Sequence, residues 1–224
     1  MSTSPGLFAA SASQGGLLLP PGFRSAVFGD AAHGDVRCDP TAIEAFAAVG
    51  APQSIAFAHQ VHGAVVLEAT EPGLVGDCDA IVTTTPDLSI TIATADCVPV
   101  IIEGGGFAAV VHAGWRGAAA GVVRATMKYL AANGLEPERA AIGPAIGSCC
   151  YEVGPEVTAE LPDHVSVTDW GTSSVDLVSA VTADLGALEV WRADRCTKTD
   201  DAYHSFRRNG TQGRQMAVAW LPSV

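Results

Sequence analysis

Four apolar runs between residues 80 and 117, each stopped by turn residues, constrain this chain more than any other feature. DAIVTTTPDLSITIATADCVPVII reads as strands broken at Pro86–Asp87 and again near Asp96, and FAAVVHAGWRG at 107–117 is a further strand running into a glycine-rich turn. Upstream, SIAFAHQVHGAVVL at 54–67 reads as two short β segments around His59, His62 and Gly63, and LEVWRA at 188–193 and RQMAVAWL at 214–221 supply late strands. Helices are expected at about 40–49, capped by Asp39 with Pro40 at the first position, at about 118–132, ended by Gly134, and at about 174–185, capped by Ser173 or Ser174. AIGPAIGSCCYEVGPEV at 141–157 reads as a loop shaped by glycine and proline, leading into a short helix. The pattern predicts a mixed α and β chain with buried strands, whose order periodicity does not decide. No repeat or change of composition divides it, so residues 21–224 are expected to form one domain, with a loose Ser-, Gly- and Ala-rich lead-in over 1–20.

A chain of 224 residues can bury a core without disulfide or metal staples, and 48% hydrophobic residues argue against disorder. Lys and Arg number 12 against 24 Asp and Glu, a net charge of −12, which argues against a general binder of nucleic acid backbones. A small anion is a different matter, since a few placed arginines suffice for it. The segment before Arg24 has no basic stretch, and its LLL run is stopped by Pro20 and Pro21, so neither an export signal nor a membrane span is expected. Six cysteines fall short of a disulfide scaffold, and a reducing, cytoplasmic location is the expectation.

The chemistry gathers where strands end. His62 in HQVHG, Cys97 in ATADC and His112 in VVHAGWRG each follow a β-like run beside a turn, so their side chains can converge at one sheet edge. One Cys and two His can hold Zn²⁺ with a fourth position open, the arrangement of a catalytic site. The same residues also fit a Cys-His nucleophilic pair, or three unconnected packing residues. His59 is a rival ligand, but in an extended stretch residues 59 and 62 point to opposite sides, which leaves His59 a packing or ring-supporting role. Asp79 and Asp77 flank Cys78, and Asp96 precedes Cys97. Such a carboxylate can orient a ligand histidine, relay a proton, or simply cap a strand end.

GWRG at 114–117 combines two glycines, a planar Trp115 and the forked donors of Arg116, with a helix expected next, so it reads as a structural turn or as an anion site. It lacks the Lys and Ser or Thr of a phosphate loop. Arg207, Arg208 and Arg214 in SFRRNGTQGR either reach an anion or pair with acids at the surface. Cys149 and Cys150 are adjacent and unsuited to an ordinary disulfide; they read as packing or as a pocket wall next to Tyr151.

HQVHG, DAIVT, ADCVPV, VHAGWRG, IGPAIGSCCYEVG, the Cys196–Thr197 pair and SFRRNG, in that order over about 59–210, resemble the laccase-domain family of bacterial purine nucleoside phosphorylases and peptidoglycan-editing factors, once described as multicopper polyphenol oxidases. The resemblance implies an α+β domain in layered α/β/β/α order with mixed sheets, and a metal site of His62, Cys97 and His112 holding zinc rather than copper. It implies phosphorolysis of adenosine, inosine, guanosine or methylthioadenosine, in some members alongside adenosine deamination, with nucleoside and inorganic phosphate as partners and a monomeric state. Asp79 is then a candidate relay, Arg116 and Arg207 candidates for phosphate, and Trp115 and Tyr151 candidate borders for a flat base. Other readings are an amidohydrolase editing peptidoglycan precursors, with Cys97 attacking a carbonyl and His112 handling its proton, a polyphenol oxidase, and a binding protein without catalysis. The N-terminal stretch GFRSAVFGDAAHGDVR retains only a fragment of the family's pattern.

Overall fold

A computed structural model describes residues 12–14 and 16–223, with side chains from residue 16 onward. In chain order the elements are β1 (Ala12–Gln14), β2 (Leu17–Leu19), β3 (Ala26–Phe28), α1 (Pro40–Ala47), β4 (Ile55–His59), β5 (Val66–Glu68), β6 (Gly73–Asp77), β7 (Ala80–Thr83), β8 (Ser89–Thr94), β9 (Val98–Gly104) and β10 (Phe107–Ala113). They continue with α2 (Trp115–Ala120), α3 (Val122–Ala132), β11 (Pro137–Ile142), α4 (Pro155–Glu160), β12 (Val165–Val167), β13 (Ser173–Val175), α5 (Leu177–Asp184), β14 (Glu189–Arg192), α6 (Phe206–Asn209) and β15 (Gln215–Trp220). Two mixed sheets result, one ordered β1-β2-β3-β15-β8-β4-β6 and the other β14-β11-β9-β10-β7-β5, with β12 and β13 as a separate ribbon.

Strand alternation sorts the apolar side chains into three layers. Ala108 and Val110 of β10 meet Ile90 and Ile92 of β8 and Ala217 of β15 between the sheets. Ala109 and Val111, one residue out of phase, pack against Val122, Val123 and Leu130 of α3 and Val181 of α5. The outer face of the seven-stranded sheet, with Val27, Met216 and Val218, is covered by Ala42 and Phe46 of α1. This is the layered α/β/β/α arrangement, and it explains why β8, β9 and β10 are buried along their whole length. Among the described residues no helix is long and apolar enough to cross a membrane.

Several local expectations need correction. The lead-in is not loose throughout: β1 pairs with β2 in register Ala12 to Leu19, and Leu17 is buried; residues 1–11 lie outside those described. The helix expected at 118–132 starts earlier and is two helices, because Gly121 takes a left-handed φ of 78° that closes α2 and opens α3. The helix expected from residue 174 begins only at Leu177, capped by Asp176, whose carboxylate accepts from the Ser179 N–H; Ser173 and Ser174 are instead in β13, paired with β12. Capping propensity alone does not separate Ser173, Ser174 and Asp176, and strand pairing removed the first two. The α1 cap is as expected, with Asp39 accepting from the Thr41 N–H at 2.9 Å.

Candidate metal centre and cavity

The register of the six-stranded sheet brings the chemistry to one end. β10 runs antiparallel to β9, setting His112 opposite Pro99 and Ala113 opposite Val98, so Cys97, the residue just before β9, lies near His112. β10 also runs antiparallel to β7, and the pairing continues one step as the His112 N–H donates to the Asp79 carbonyl at 2.7 Å. The chain passes from the seven-stranded to the six-stranded sheet between β8 and β9, through Asp96 at a φ of 88°, and that crossing delivers Cys97 to the same corner. β4 ends at His59, and the following turn places His62 above the corner with a φ of 60°.

That unfavourable backbone angle has a visible support. The carboxylate of Asp79, wholly buried, accepts the N–H groups of His62 at 2.9 Å and Gly63 at 2.6 Å, with Val61 at 3.3 Å. The same carboxylate holds Nδ1 of His112 at 2.8 Å, which fixes the ring and leaves Nε2 facing outward. Burial works against the Asp79 charge, but His112 and the backbone donors outweigh it and hold its carboxyl below the ordinary value.

One ligand atom from each of His62, Cys97 and His112 lies within 4.8 Å of the others, with Cys97 Sγ 3.9 Å from His62 Nε2 and the two imidazoles edge to face. Burial opposes ionisation of the Cys97 thiol, yet the hydrogen bonds and charges of His112 and His62 bring it down to about 6; burial opposes the charge on His112, yet Asp79 and Cys97 raise it to about 9. A group that favours a thiolate between two imidazoles, one already fixed in tautomer by a buried carboxylate, suits a cation that takes mixed nitrogen and sulfur ligands. The group could therefore hold a metal ion. Gly114 is part of the fit, since a Cβ there would lie 2.8 Å from His62 Cδ2 and 3.0 Å from Cys97 Sγ. Gly114→Ala is thus expected to weaken metal affinity by about tenfold or more, as is usual when support for ligands is disturbed; chelator competition measures it, and an unchanged affinity would count against the group as the ligand set.

The corner opens into a cavity of about 530 Å³ whose lining includes His62, Cys97, His112, Trp115, Tyr151 and Leu177. Arg37, Arg116, Arg207 and Arg214 also line it. Of these, Arg37 is paired with Asp35, whereas Arg116, Arg207 and Arg214 have no carboxylate partner among the described residues. Arg116 lies over the Trp115 ring at 4.2 Å, and Arg207 lies over Tyr151 at 4.8 Å while donating to the Glu152 carbonyl at 2.6 Å. The Arg207 N–H is anchored on Asp96 at 2.7 Å, and the other Asp96 oxygen accepts from the Thr197 hydroxyl at 2.6 Å.

Other expected residues fall elsewhere. Asp79 does not line the cavity; its carboxylate contacts His112 and the His62 turn. His59 lines the cavity but is not in the ligand group; it is exposed and pairs with Asp77 at 3.0 Å. Arg208 donates to the carbonyls of Thr197 and Tyr203 and secures that loop. GWRG is not a loop before a helix but the first turn of one, which puts Arg116 on the helix itself. Cys149 and Cys150 do not line the cavity; burial and the neighbouring sulfurs push Cys149 up to about 12. Arg37 was not read from the sequence as a site residue, because HGDVR between β3 and α1 carries neither periodicity nor a motif that marks it.

Known proteins share this architecture and sequence. A purine nucleoside phosphorylase of Streptomyces coelicolor is 37% identical over 210 residues, covering 84% of this chain and 86% of the relative. One of Mycobacterium tuberculosis H37Rv is 36% identical over 226 residues, with 92% and 88% covered. Purine nucleoside phosphorylase YfiH of Escherichia coli K12 is 35% identical over 191 residues, with 79% and 77% covered. The crystal structure of YlmD from Geobacillus stearothermophilus superimposes with a TM-score of 0.80 at 26% identity, over 98% of this chain and all of that one. A hypothetical YfiH protein of Bacillus licheniformis shares the fold, with a TM-score of 0.82 at 22% identity over 93% and 97% of the two chains. Residues 30–222 match the family described as multi-copper polyphenol oxidoreductase laccase, and with these relatives that match establishes that the chain belongs to this family.

Proposed function

We propose that this protein is a purine nucleoside phosphorylase that acts on adenosine, inosine, guanosine or methylthioadenosine with zinc at His62, Cys97 and His112, and that adenosine deamination is a second activity of the same pocket. The observation that carries the reading is the cavity itself, where three guanidiniums without carboxylate partners among the described residues and two aromatic faces surround the His-Cys-His corner of a chain with net charge −12. The names of the relatives support the same reaction class.

Phosphorolysis breaks the bond from C1′ to the base nitrogen while a phosphate oxygen bonds to C1′, and the departing base takes up a proton. Positive character grows on the sugar, so a phosphate held close to it stabilises the transition state as well as supplying the nucleophile. Arg207 suits this task because its backbone is tied to Asp96 and its side chain is held against Tyr151, which removes most of the reorganisation needed on binding. Arg116, exposed on α2, can close on the anion from that side. Trp115 and Tyr151 offer flat surfaces to a base. Zinc, when bound, supplies Lewis acidity at the His-Cys-His corner. Asp79 keeps the His112 ring and the His62 turn in place.

Product analysis with adenosine, inosine and methylthioadenosine, with and without phosphate, tests the reading. Phosphate-dependent release of free base with a sugar 1-phosphate is expected; inosine formed from adenosine without phosphate would show deamination alone. Arg207→Ala and Arg116→Ala should each raise the KM for phosphate by about tenfold or more, the loss of a charge-assisted hydrogen bond of ~1.5–3 kcal/mol. An unchanged phosphate response in either would remove that arginine from the role. One observation favours a second reading: Cys97, His112 and Asp79 form a thiol–imidazole–carboxylate series that could attack an amide carbonyl in a peptidoglycan precursor. If a serine-bearing precursor is cleaved while no nucleoside is consumed, that reading replaces the first.

A further inference from the structure

Three cysteines outside the cavity meet behind its wall. Cys149 and Cys150 lie in the loop after β11, and Cys196 in the loop after β14. The two loops are joined by a parallel bridge between Ala145 and Cys196, with the Thr197 N–H donating to the Ala145 carbonyl at 3.0 Å. One sulfur from each cysteine falls within 4.8 Å of the others: Cys149 Sγ is 3.0 Å from Cys150 Sγ and 3.8 Å from Cys196 Sγ. Gly147 makes room for them, since a Cβ there would stand 3.2 Å from the Cys149 sulfur and 3.5 Å from that of Cys196. Its N–H also donates to Cys196 Sγ at 3.2 Å, a bond that strengthens when the sulfur is anionic.

We propose that Cys149, Cys150 and Cys196 form a second metal site, binding one thiophilic d¹⁰ cation of the Cu⁺ or Zn²⁺ class through three thiolates. A disulfide explains the cluster less well. It would use two of the three sulfurs, adjacent cysteines are poorly placed to pair, and 3.8 Å is far beyond a bond of about 2.05 Å. Packing alone does not require three polarisable sulfurs to turn toward one point. A bound cation offsets the mutual repulsion of neighbouring thiolates, and the displaced thiol protons leave to solvent. An all-sulfur set selects soft ions, unlike the mixed His-Cys-His corner. Ligation here would clamp the loop that carries Tyr151 to the loop whose Thr197 holds Asp96, and so fix the cavity wall.

Reduced full-length protein, kept free of oxygen, tests the site by titration with Cu⁺ and separately with Zn²⁺ against chromogenic chelators. Wild type and Cys97→Ser are each compared with the same protein also carrying Cys149→Ser and Cys196→Ser. The double change should remove one equivalent of at least one ion in both backgrounds, whereas loss seen only on changing Cys97 concerns the other site. In the Cys97→Ser protein, saturation at roughly ten times the Kd should slow iodoacetamide labelling of Cys149 and Cys196 by about tenfold, read by mass spectrometry without disturbing either residue. Equal stoichiometry with and without the double change, or labelling indifferent to both ions, overturns the proposal. So does a Cys149–Cys196 disulfide formed in air by a protein whose reduced form takes up neither ion at these thiols.

Discussion

Chelation of the purified protein, or replacement of Cys97 by alanine, is expected to lower purine nucleoside phosphorolysis by roughly 100- to 1,000-fold, corresponding to several kcal/mol of lost electrostatic stabilisation. Elemental analysis should find one zinc in the His-Cys-His group of the untreated protein, and His62→Ala, Cys97→Ala and His112→Ala should each lose it. The chain should stay folded in the Cys97 variant, because its core lies in three apolar layers that do not depend on the corner. Zinc returned to the chelated wild type should restore activity, and zinc added to Cys97→Ala should not. The pair of treatments separates the two readings of the site. A nucleophilic Cys97 would be lost in the alanine variant but would survive chelation, so full activity in a protein stripped of metal would assign the chemistry to the thiol and remove the metal from it.

The convergence of His62, Cys97 and His112 was legible because each stands where a β-like run meets a turn, and strand ends at one edge of a sheet are brought together by register. The layered order itself was not legible from periodicity: β8, β9 and β10 are buried on both faces, and a strand of that kind fits several places in a sheet. Family resemblance supplied the layers that the pattern left open. Asp79 was under-read for a different reason. Its neighbours Asp77 and Cys78 look like its equals in sequence, and only the antiparallel pairing of β7 with β10 sets it against His112 while the His62 turn closes over it. Arg37 and Arg214 come to the cavity from loops distant in sequence, and nothing local marks an arginine as facing a pocket rather than water. Gly121 shows the limit of helix signals: an apolar stripe that continues through 118–130 does not reveal a left-handed residue that divides it.

Asp79→Ala should be the most destabilising single change in the corner, costing about 3–5 kcal/mol, the usual result of removing one partner of a buried charged pair. The carboxylate accepts from three successive backbone N–H groups and from His112, so its loss strands several donors at once, and one of them belongs to a residue held at a φ of 60°. For a chain of this length each kcal/mol lowers Tm by about 2–4 °C, so calorimetry should record a fall on the order of 10 °C. Asp79→Asn preserves the volume but has one acceptor oxygen, and its NH₂ must face N–H groups or the imidazole; it should fall between wild type and alanine in Tm. Metal affinity should drop about 10- to 100-fold in the asparagine variant, because His112 loses the partner that fixes its tautomer. A proton relay predicts something else: a lower kcat with Tm and metal content close to wild type. Finding that pattern in Asp79→Asn would show that Asp79 moves a proton, whereas joint loss of Tm and metal with little further effect on the zinc-loaded enzyme would show that it holds the corner in shape.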